Sequence, residues 1–173
     1  MRRAAVVLGF LCLSAGCGNW VGDLGPGAGI TGISITESGS LVINAYVCRD
    51  YIDTIEVVRD RHGLKETEPN PVVAVYKSPR HLTGSISLNL DNPTTRWSPD
   101  APLRFEPGKG YLVYAQGSGE DANETRDLYL STRTLTELKP GLIYTIEGGT
   151  TKLTGSTPAE FKTLAKHICQ TET

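Results

Sequence analysis

The chain has 173 residues, with 17 Lys and Arg against 19 Asp and Glu, so its formal net charge is −2. A chain of this length suits one globular domain with a real hydrophobic core. The basic residues form no run or cluster, and phosphate binding needs clustered cations, so we expect no nucleic-acid partner.

The first sixteen residues have the pattern of an export signal. Arg2 and Arg3 follow the initiator methionine, and residues 4–13 carry no charge. A membrane span needs about 20 apolar residues, whereas this shorter run has the length of a signal-peptide core. We therefore expect residues 1–16 to direct export and to be removed. No later stretch is as long and as apolar, so we expect no transmembrane helix.

Three small residues lead directly to a cysteine at the end of this segment: Ser14, Ala15, Gly16 and Cys17. The run resembles the lipobox of bacterial lipoproteins, in which the cysteine thiol receives a diacylglyceryl group and becomes the new N-terminus. Leu13 lies four residues before the cysteine, whereas the commonest pattern has it three before. The resemblance implies lipidation at Cys17 and anchoring at the extracytoplasmic face of the cell membrane, since two acyl chains attach a protein stably. The alternative is an ordinary secreted protein, cut near Ala15 or Gly16.

Residues 17–29 contain the cysteine and a glycine-rich stretch. Glycine-rich segments behave as flexible coils. We expect this stretch to be a tether between the lipid and a single folded domain, residues 30–173.

The four cysteines divide into two that belong to the predicted signal and anchor and two that belong to the predicted domain. Cys12 would leave with the signal peptide, and Cys17 would carry the lipid. Cys48 and Cys169 remain, in a compartment where disulfides persist. We expect a Cys48–Cys169 disulfide. A reactive thiol or a metal-binding pair is the alternative, although neither cysteine lies in a C-x-x-C motif.

Period-two alternation of apolar residues dominates from about residue 30 to residue 147. It predicts about eight short strands, near residues 33–36, 41–48, 55–57, 72–77, 85–90, 111–115, 126–132 and 142–146. β-Branched and aromatic residues are concentrated in these runs, and Gly, Pro, Asn and Asp lie between them. Short antiparallel strands with one apolar face predict two packed sheets.

The segment FEPGKGYLVYA, residues 105–115, resembles the E–F corner of immunoglobulin-like and fibronectin type III sandwiches. There a tyrosine hydroxyl bonds back to the backbone of the preceding turn, and Tyr111 would hold that place. The resemblance implies a mainly β fold, an antiparallel two-sheet β-sandwich. The tryptophan of antibody strand C is absent. Cys48 and Cys169 cannot be the usual inter-sheet pair, because Cys169 lies outside any predicted strand.

A short helix is predicted at the end of the chain, at about residues 157–168. Thr157 is a candidate N-cap, Pro158 takes the first helical position, and Glu160 completes a capping box. An apolar stripe follows at spacings of three and four, formed by Phe161, Leu164, Ala165 and Ile168. A helix of about eleven residues is marginal alone, so we expect it to dock on the sheet.

Carboxylates cluster in two stretches. Asp50, Asp53 and Glu56 lie near a predicted turn between strands. In the second stretch, oxygen-bearing side chains alternate as they do in calcium loops: Asp121, Asn123, Thr125 and Asp127. Arg126 stands where such a loop needs glycine. We interpret the first stretch as solvated charges, with a paired acid and base for glycoside hydrolysis as the alternative, and we expect no metal and no cofactor.

Catalytic motifs are absent from the sequence. The histidines, His62, His81 and His167, form no H-E-x-x-H or closely spaced pair. The chain also has no G-x-S-x-G elbow and no phosphate-binding loop. We expect a protein that is not an enzyme.

One aromatic group suggests a ligand site. Trp97, together with Tyr51 or Tyr76, could form a platform for stacking on a sugar. The alternative is that Trp97 anchors its loop at the edge of the core.

These patterns together predict a lipid-anchored extracytoplasmic lipoprotein with a non-catalytic binding or envelope-organising domain. Its partner would be an envelope protein or a polysaccharide. The general plan resembles that of small actinobacterial lipoproteins. The alternative function is an envelope hydrolase or a carbohydrate-binding module.

Overall fold

The structure is a computed structural model that describes residues 27–94, 96–100, 103–119, 123–146 and 150–171. The predicted signal peptide, Cys17 and most of the predicted tether lie outside the described residues.

The described residues form nine strands and two helices. In chain order the strands are β1 (Gly29–Ile35), β2 (Leu41–Arg59), β3 (Val72–Asn89), β4 (Ser98–Pro99), β5 (Gly110–Gln116), β6 (Thr125–Arg126), β7 (Leu128–Ser131), β8 (Ile143–Ile146) and β9 (Leu153–Ser156). The helices are α1 (Thr132–Leu135) and α2 (Pro158–Thr171). The predicted fold class is confirmed: the protein is mainly β, with antiparallel pairing and a short C-terminal helix.

Two long strands, β2 and β3, run through both layers of the fold. In the first layer, residues 41–47 of β2 pair with β1 and with residues 84–89 of β3. β1 then pairs with β8, and β8 with β9. In the second layer, residues 54–59 of β2 pair with β5, and residues 54–58 pair with residues 72–77 of β3. β5 also pairs with β7. The layers therefore share strands and enclose one core.

Two sequence predictions about these strands are wrong. The expected strands 41–48 and 55–57 are one continuous strand, β2, and the expected turn around Asp50 is a bulge inside it. The expected strands 72–77 and 85–90 are likewise parts of β3. A bulge bends a strand and increases its twist without a loop, so the chain changes layers while it stays extended.

β6 ties a loop to the first strand by a parallel pairing. Gly29 and Thr125 are partners in this pairing. The hydroxyl oxygens of Thr31 and Thr125, both buried, lie 2.6 Å apart. Ala28, in the predicted tether, is fully buried, and its N–H donates to the Glu124 carbonyl at 2.8 Å. Residues 27–29 therefore belong to the folded domain.

Two turns of the fold share the sequence pattern x-Pro-Gly-x-x-Tyr. In residues 106–111 the Glu106 N–H donates to the Tyr111 hydroxyl at 2.6 Å. In residues 139–144 the Lys139 N–H donates to the Tyr144 hydroxyl at 3.0 Å. The glycines of both turns have positive φ, 74° and 84°, which favours glycine. The predicted corner at Tyr111 is confirmed, and a second corner of the same construction precedes β8.

The N-terminus of α2 has the predicted capping box. Glu160 N–H donates to the Thr157 hydroxyl at 3.3 Å, and the Glu160 carboxylate accepts from the Thr157 N–H at 2.8 Å. The hydrogen bonds from the backbone and hydroxyl of Thr157 lower the pKa of Glu160, because they favour its charged form. The helix begins at Pro158 as predicted and continues to Thr171.

α2 docks on the outer face of the first layer through a small apolar cluster. Phe161, Ala165 and Ile168 pack against Ile30 and Ile143. Leu164 of the predicted stripe is exposed, because it lies on the flank of the helix. This cluster is separate from the main core, so the helix relies on few apolar contacts.

The predicted Cys48–Cys169 disulfide is present and joins the last turn of α2 to β2. The two Cα atoms lie 6.0 Å apart, within the usual range for a disulfide. The Arg49 guanidinium adds a hydrogen bond to the Cys169 carbonyl at 3.1 Å. The C-terminal half of the helix is thereby fixed beside the start of β1.

Candidate functional site

Parts of the two carboxylate-bearing stretches meet at the bulge of β2. The Ser118 hydroxyl donates to Asp53 at 2.7 Å, and the Asn123 amide donates to Asp50 at 2.6 Å. Neither contact follows from local sequence, because the partners are more than 60 residues apart. Asp121 lies outside the described residues.

Asp50 has the unusual backbone of this bulge. Its φ is 51°, and it is the one non-glycine residue with positive φ in the described part of the chain. Such a conformation costs energy for a residue with a Cβ, although Asp tolerates it better than most. The hydrogen bond from Asn123 holds the side chain of this residue to the facing loop.

Asp53 lies between a serine and a histidine. Its carboxylate accepts from the Ser118 and Thr54 hydroxyls, and His81 Nε2 lies 3.9 Å from the same oxygen that Ser118 contacts. The His81 ring stacks on Tyr51, with ring centroids 3.6 Å apart. Serine catalysis places the histidine between the serine and the acid. Here the acid takes the middle position, so His81 does not contact Ser118 as the imidazole base of such a triad would.

Next to this cluster, Glu56 accepts hydrogen bonds from the Tyr114 hydroxyl at 2.8 Å and the Gln116 amide at 3.0 Å. Burial, then the hydrogen bond and charge of Glu56, raise the pKa of Tyr114. Burial also raises the pKa of Glu124, with further contributions from the charges of Asp127 and Glu56. Glu56 is thus occupied by two neutral donors, as in a structural network.

The proposed aromatic platform does not form. Trp97 is 4% exposed and Tyr76 is 1% exposed, and both belong to the main core. Burial, reinforced by the charge of Asp91, raises the pKa of Tyr76. Tyr51 is half-buried and occupied by its stack on His81. Neither Trp97 nor Tyr76 therefore offers a ring face to a ligand. Tyr76 lies on the core-facing side of β3. Trp97 directly precedes β4, the strand that pairs with β3 at Tyr76, and lies against the core.

A groove of about 400 Å³ lies between the N-terminal half of α2 and the outer face of the first layer. Its floor carries small polar side chains from three neighbouring strands: Ser34, Asn44, Ser85 and Ser87. Leu142, Pro158 and Phe161 form the apolar wall, and Lys162 is the charged residue among those that line the groove. The volume is within the range of about 300–1,000 Å³ typical of small-molecule sites.

The floor of this groove is an ordered row of hydrogen bonds. The Asn44 amide donates to the Ser34 hydroxyl at 2.9 Å, and the Ser87 hydroxyl donates to the Asn44 carbonyl oxygen at 3.2 Å. A hydroxyl has one donor and two acceptor positions, so each serine keeps hydrogen-bonding capacity toward the groove. The row therefore presents fixed neutral donors and acceptors beside an apolar wall.

This groove was not predicted from the sequence, although its floor leaves a signal there. Ser34, Asn44, Ser85 and Ser87 are the polar members of predicted alternating strands, and polar residues there usually face solvent. Only the pairing of β1, β2 and β3 brings them side by side. The helix that forms the wall was predicted, and so was its disulfide to Cys48, but not the groove beside its N-terminal half.

The described residues contain no group of three or more His, Cys, Asp or Glu side chains placed to hold a metal ion. His62 and His167 are exposed, in a turn and on α2. Within the same residues, no helix has the length and apolar character that a membrane span requires.

Comparison with known proteins gives no relatives: no family model matches the chain, and neither a curated protein nor a solved structure is significantly similar to it.

Proposed function

We propose that this protein is a lipid-anchored extracytoplasmic binding protein with no catalytic role, attached to the membrane through Cys17. The lipobox-like run before Cys17 supports the anchor. The Cys48–Cys169 disulfide supports export, because disulfides persist in oxidising compartments and are rare in the cytosol.

The groove beside α2 is the observation that carries the binding role. It combines a floor of ordered neutral polar groups with an apolar wall, which is the composition typical of ligand sites. The Asp53 cluster gives less support to a hydrolase, because Asp53 separates Ser118 from His81.

The ligand we propose is an uncharged, hydroxyl- or amide-bearing molecule, such as a segment of envelope polysaccharide. Ser34, Asn44 and Ser87 can pair with hydroxyl and amide groups without burying a charge. Burying an unpaired charge in the groove would be costly, and Lys162 is the one charged residue among those that line it.

Ligand binding is tested by titrating the purified protein with neutral and N-acetylated disaccharides while backbone NMR signals are recorded. We expect shifts of signals from Asn44, Ser85 and Phe161. The Ser85→Leu variant should lose these shifts, whereas Ser98→Leu, an exposed serine that does not line the groove, should keep them. Shifts confined to the Tyr51 region, or none with any disaccharide, would contradict the proposed ligand.

The anchor is tested separately by growing cells with a labelled fatty acid. We expect label on the purified protein and none on Cys17→Ser, which should also leave the membrane fraction. A product that carries no label, with Cys17→Ser as membrane-bound as the parent, would exclude the anchor and leave the groove proposal intact.

A further inference from the structure

The C-terminal half of β3 forms an open edge of the first layer. Residues 84–89 pair with β2 on one side, and β4 pairs with β3 only at Tyr76 and Lys77. Across the described residues, no strand pairs with the other side of 84–89. Proteins usually protect such edges with charged side chains or proline. The stretch 82–90 contains neither.

The register shows which backbone groups point outward from this edge. The Leu90 N–H donates to the Leu41 carbonyl at 2.9 Å, so this pair is hydrogen-bonded. In an antiparallel ladder, hydrogen-bonded and non-hydrogen-bonded pairs alternate. With the observed register, Ser85, Ser87 and Asn89 fall in non-hydrogen-bonded pairs with β2. Their N–H and C=O groups therefore point away from β2, toward the open edge.

We infer that this edge pairs with the same edge of a second copy of the chain, in antiparallel register centred on Ser87. In that register Ser87 faces Ser87 of the second copy, and Ser85 faces Asn89. The outward groups of these residues then form three hydrogen-bonded pairs across the two-fold axis. The first layers of two copies join into one sheet.

The edge is complementary to itself on both faces. Opposite residues of an antiparallel pair lie on the same face. In this register, Ser87 and the Ser85–Asn89 pairs lie on the outer face, where small polar groups meet small polar groups. Ile86 of one copy lies opposite Leu88 of the other on the core face, where apolar groups meet. With no charge in 82–90, self-pairing brings no like charges together.

Cysteine cross-linking in membranes of cells that express the full chain tests this register. Ser87→Cys places two thiols in one hydrogen-bonded pair, with Cα atoms about 5.5 Å apart, which a disulfide can bridge. We expect a cross-linked dimer under mild oxidation. Ser85→Cys is the matched control, since residue 85 of one copy and residue 85 of the other would lie about 14 Å apart along the strands. The double variant Ser85→Cys and Asn89→Cys should cross-link again.

A proline variant distinguishes cross-linking through paired edges from cross-linking through chance encounters of two chains in the membrane. Ser87→Pro in the Ser85→Cys and Asn89→Cys background removes an outward N–H and keeps the ladder to β2, since proline is tolerated at strand edges. We expect its cross-linking to fall about tenfold, as for a lost backbone pairing worth about 1.4 kcal/mol. Folding is checked by the thermal unfolding temperature.

Three outcomes would overturn the inference in a folded protein: no dimer with Ser87→Cys, equal dimer with Ser87→Cys and Ser85→Cys, or a cross-linked species with the mass of a different protein. The last outcome would assign the edge to a different partner.

Discussion

The backbone N–H of Glu106 donates a hydrogen bond to the hydroxyl of Tyr111, five residues later, at 2.6 Å. Tyr111 is 1% exposed and its ring meets Phe105 edge-on, with centroids 4.9 Å apart. The bond fixes the turn before β5 to the core, and Lys139 and Tyr144 repeat the arrangement before β8.

We predict that Tyr111→Phe lowers the free energy of unfolding by about 1 kcal/mol, because it removes this hydrogen bond and keeps the ring. Tyr144→Phe should have an effect in the same direction and no larger, since Tyr144 is half-buried. Chemical denaturation with urea measures both. An unchanged midpoint for Tyr111→Phe would show that the corner contributes no stability.

Loss of the disulfide should destabilise the whole domain and loosen α2 most. The bridge spans 121 residues of sequence, for which the chain-entropy model gives about 4–5 kcal/mol at most. We expect Cys48→Ser with Cys169→Ser to lower the midpoint of urea unfolding and to speed hydrogen exchange in α2 more than in β5. Cys17→Ser is the control and should have neither effect. Equal acceleration in α2 and β5 would contradict a specific role in holding the helix.

The bulge makes a comparison of two substitutions at Asp50 informative. Both Asp50→Ala and Asp50→Gly remove the hydrogen bond to Asn123, but only glycine relieves the positive φ. We predict that Asp50→Gly is more stable than Asp50→Ala by about 1 kcal/mol. Asp50→Asn should differ little from the parent protein. If the Asp50→Ala and Asp50→Gly variants unfold at the same urea midpoint, the bulge does not keep its conformation in solution.

Glu124 should give the protein a pH-dependent stability. Its pKa is raised in the folded state by burial, with the charges of Asp127 and Glu56 adding to the shift. The Glu124 carboxyl therefore loses its proton at a lower pH in the unfolded chain than in the folded protein. At a pH above the folded-state pKa, the charged carboxylate makes folding less favourable. We predict that Glu124→Gln is more stable than the parent at pH 7, and that the difference shrinks as the pH falls through the folded pKa. Thermal unfolding at several pH values measures this, and Glu37→Gln, an exposed glutamate in a turn, is the control. A stability difference that does not change with pH would exclude titration of Glu124 as its cause.

The sequence by itself determined the features that depend on near neighbours. Period-two alternation identified most strand positions, the Thr157–Glu160 spacing located the start of α2, and Pro107-Gly108 with Tyr111 identified the first corner. The same pattern precedes Tyr144 and indicates the second corner equally well. The cysteine pair followed from counting, because the predicted signal peptide and the predicted lipid attachment account for Cys12 and Cys17 and leave two thiols that can join.

Only the tertiary structure decided where the strands bend and which side chains meet. Whether residues 48–54 form a turn or a bulge depends on the partners that β2 finds on both sides, which are far away in sequence. The same holds for the approach of Ser118 to Asp53, for the groove floor built from three strands, and for the burial of Trp97. Alternation states which face of a strand is apolar, but pairing and packing between distant segments determine what lies against that face.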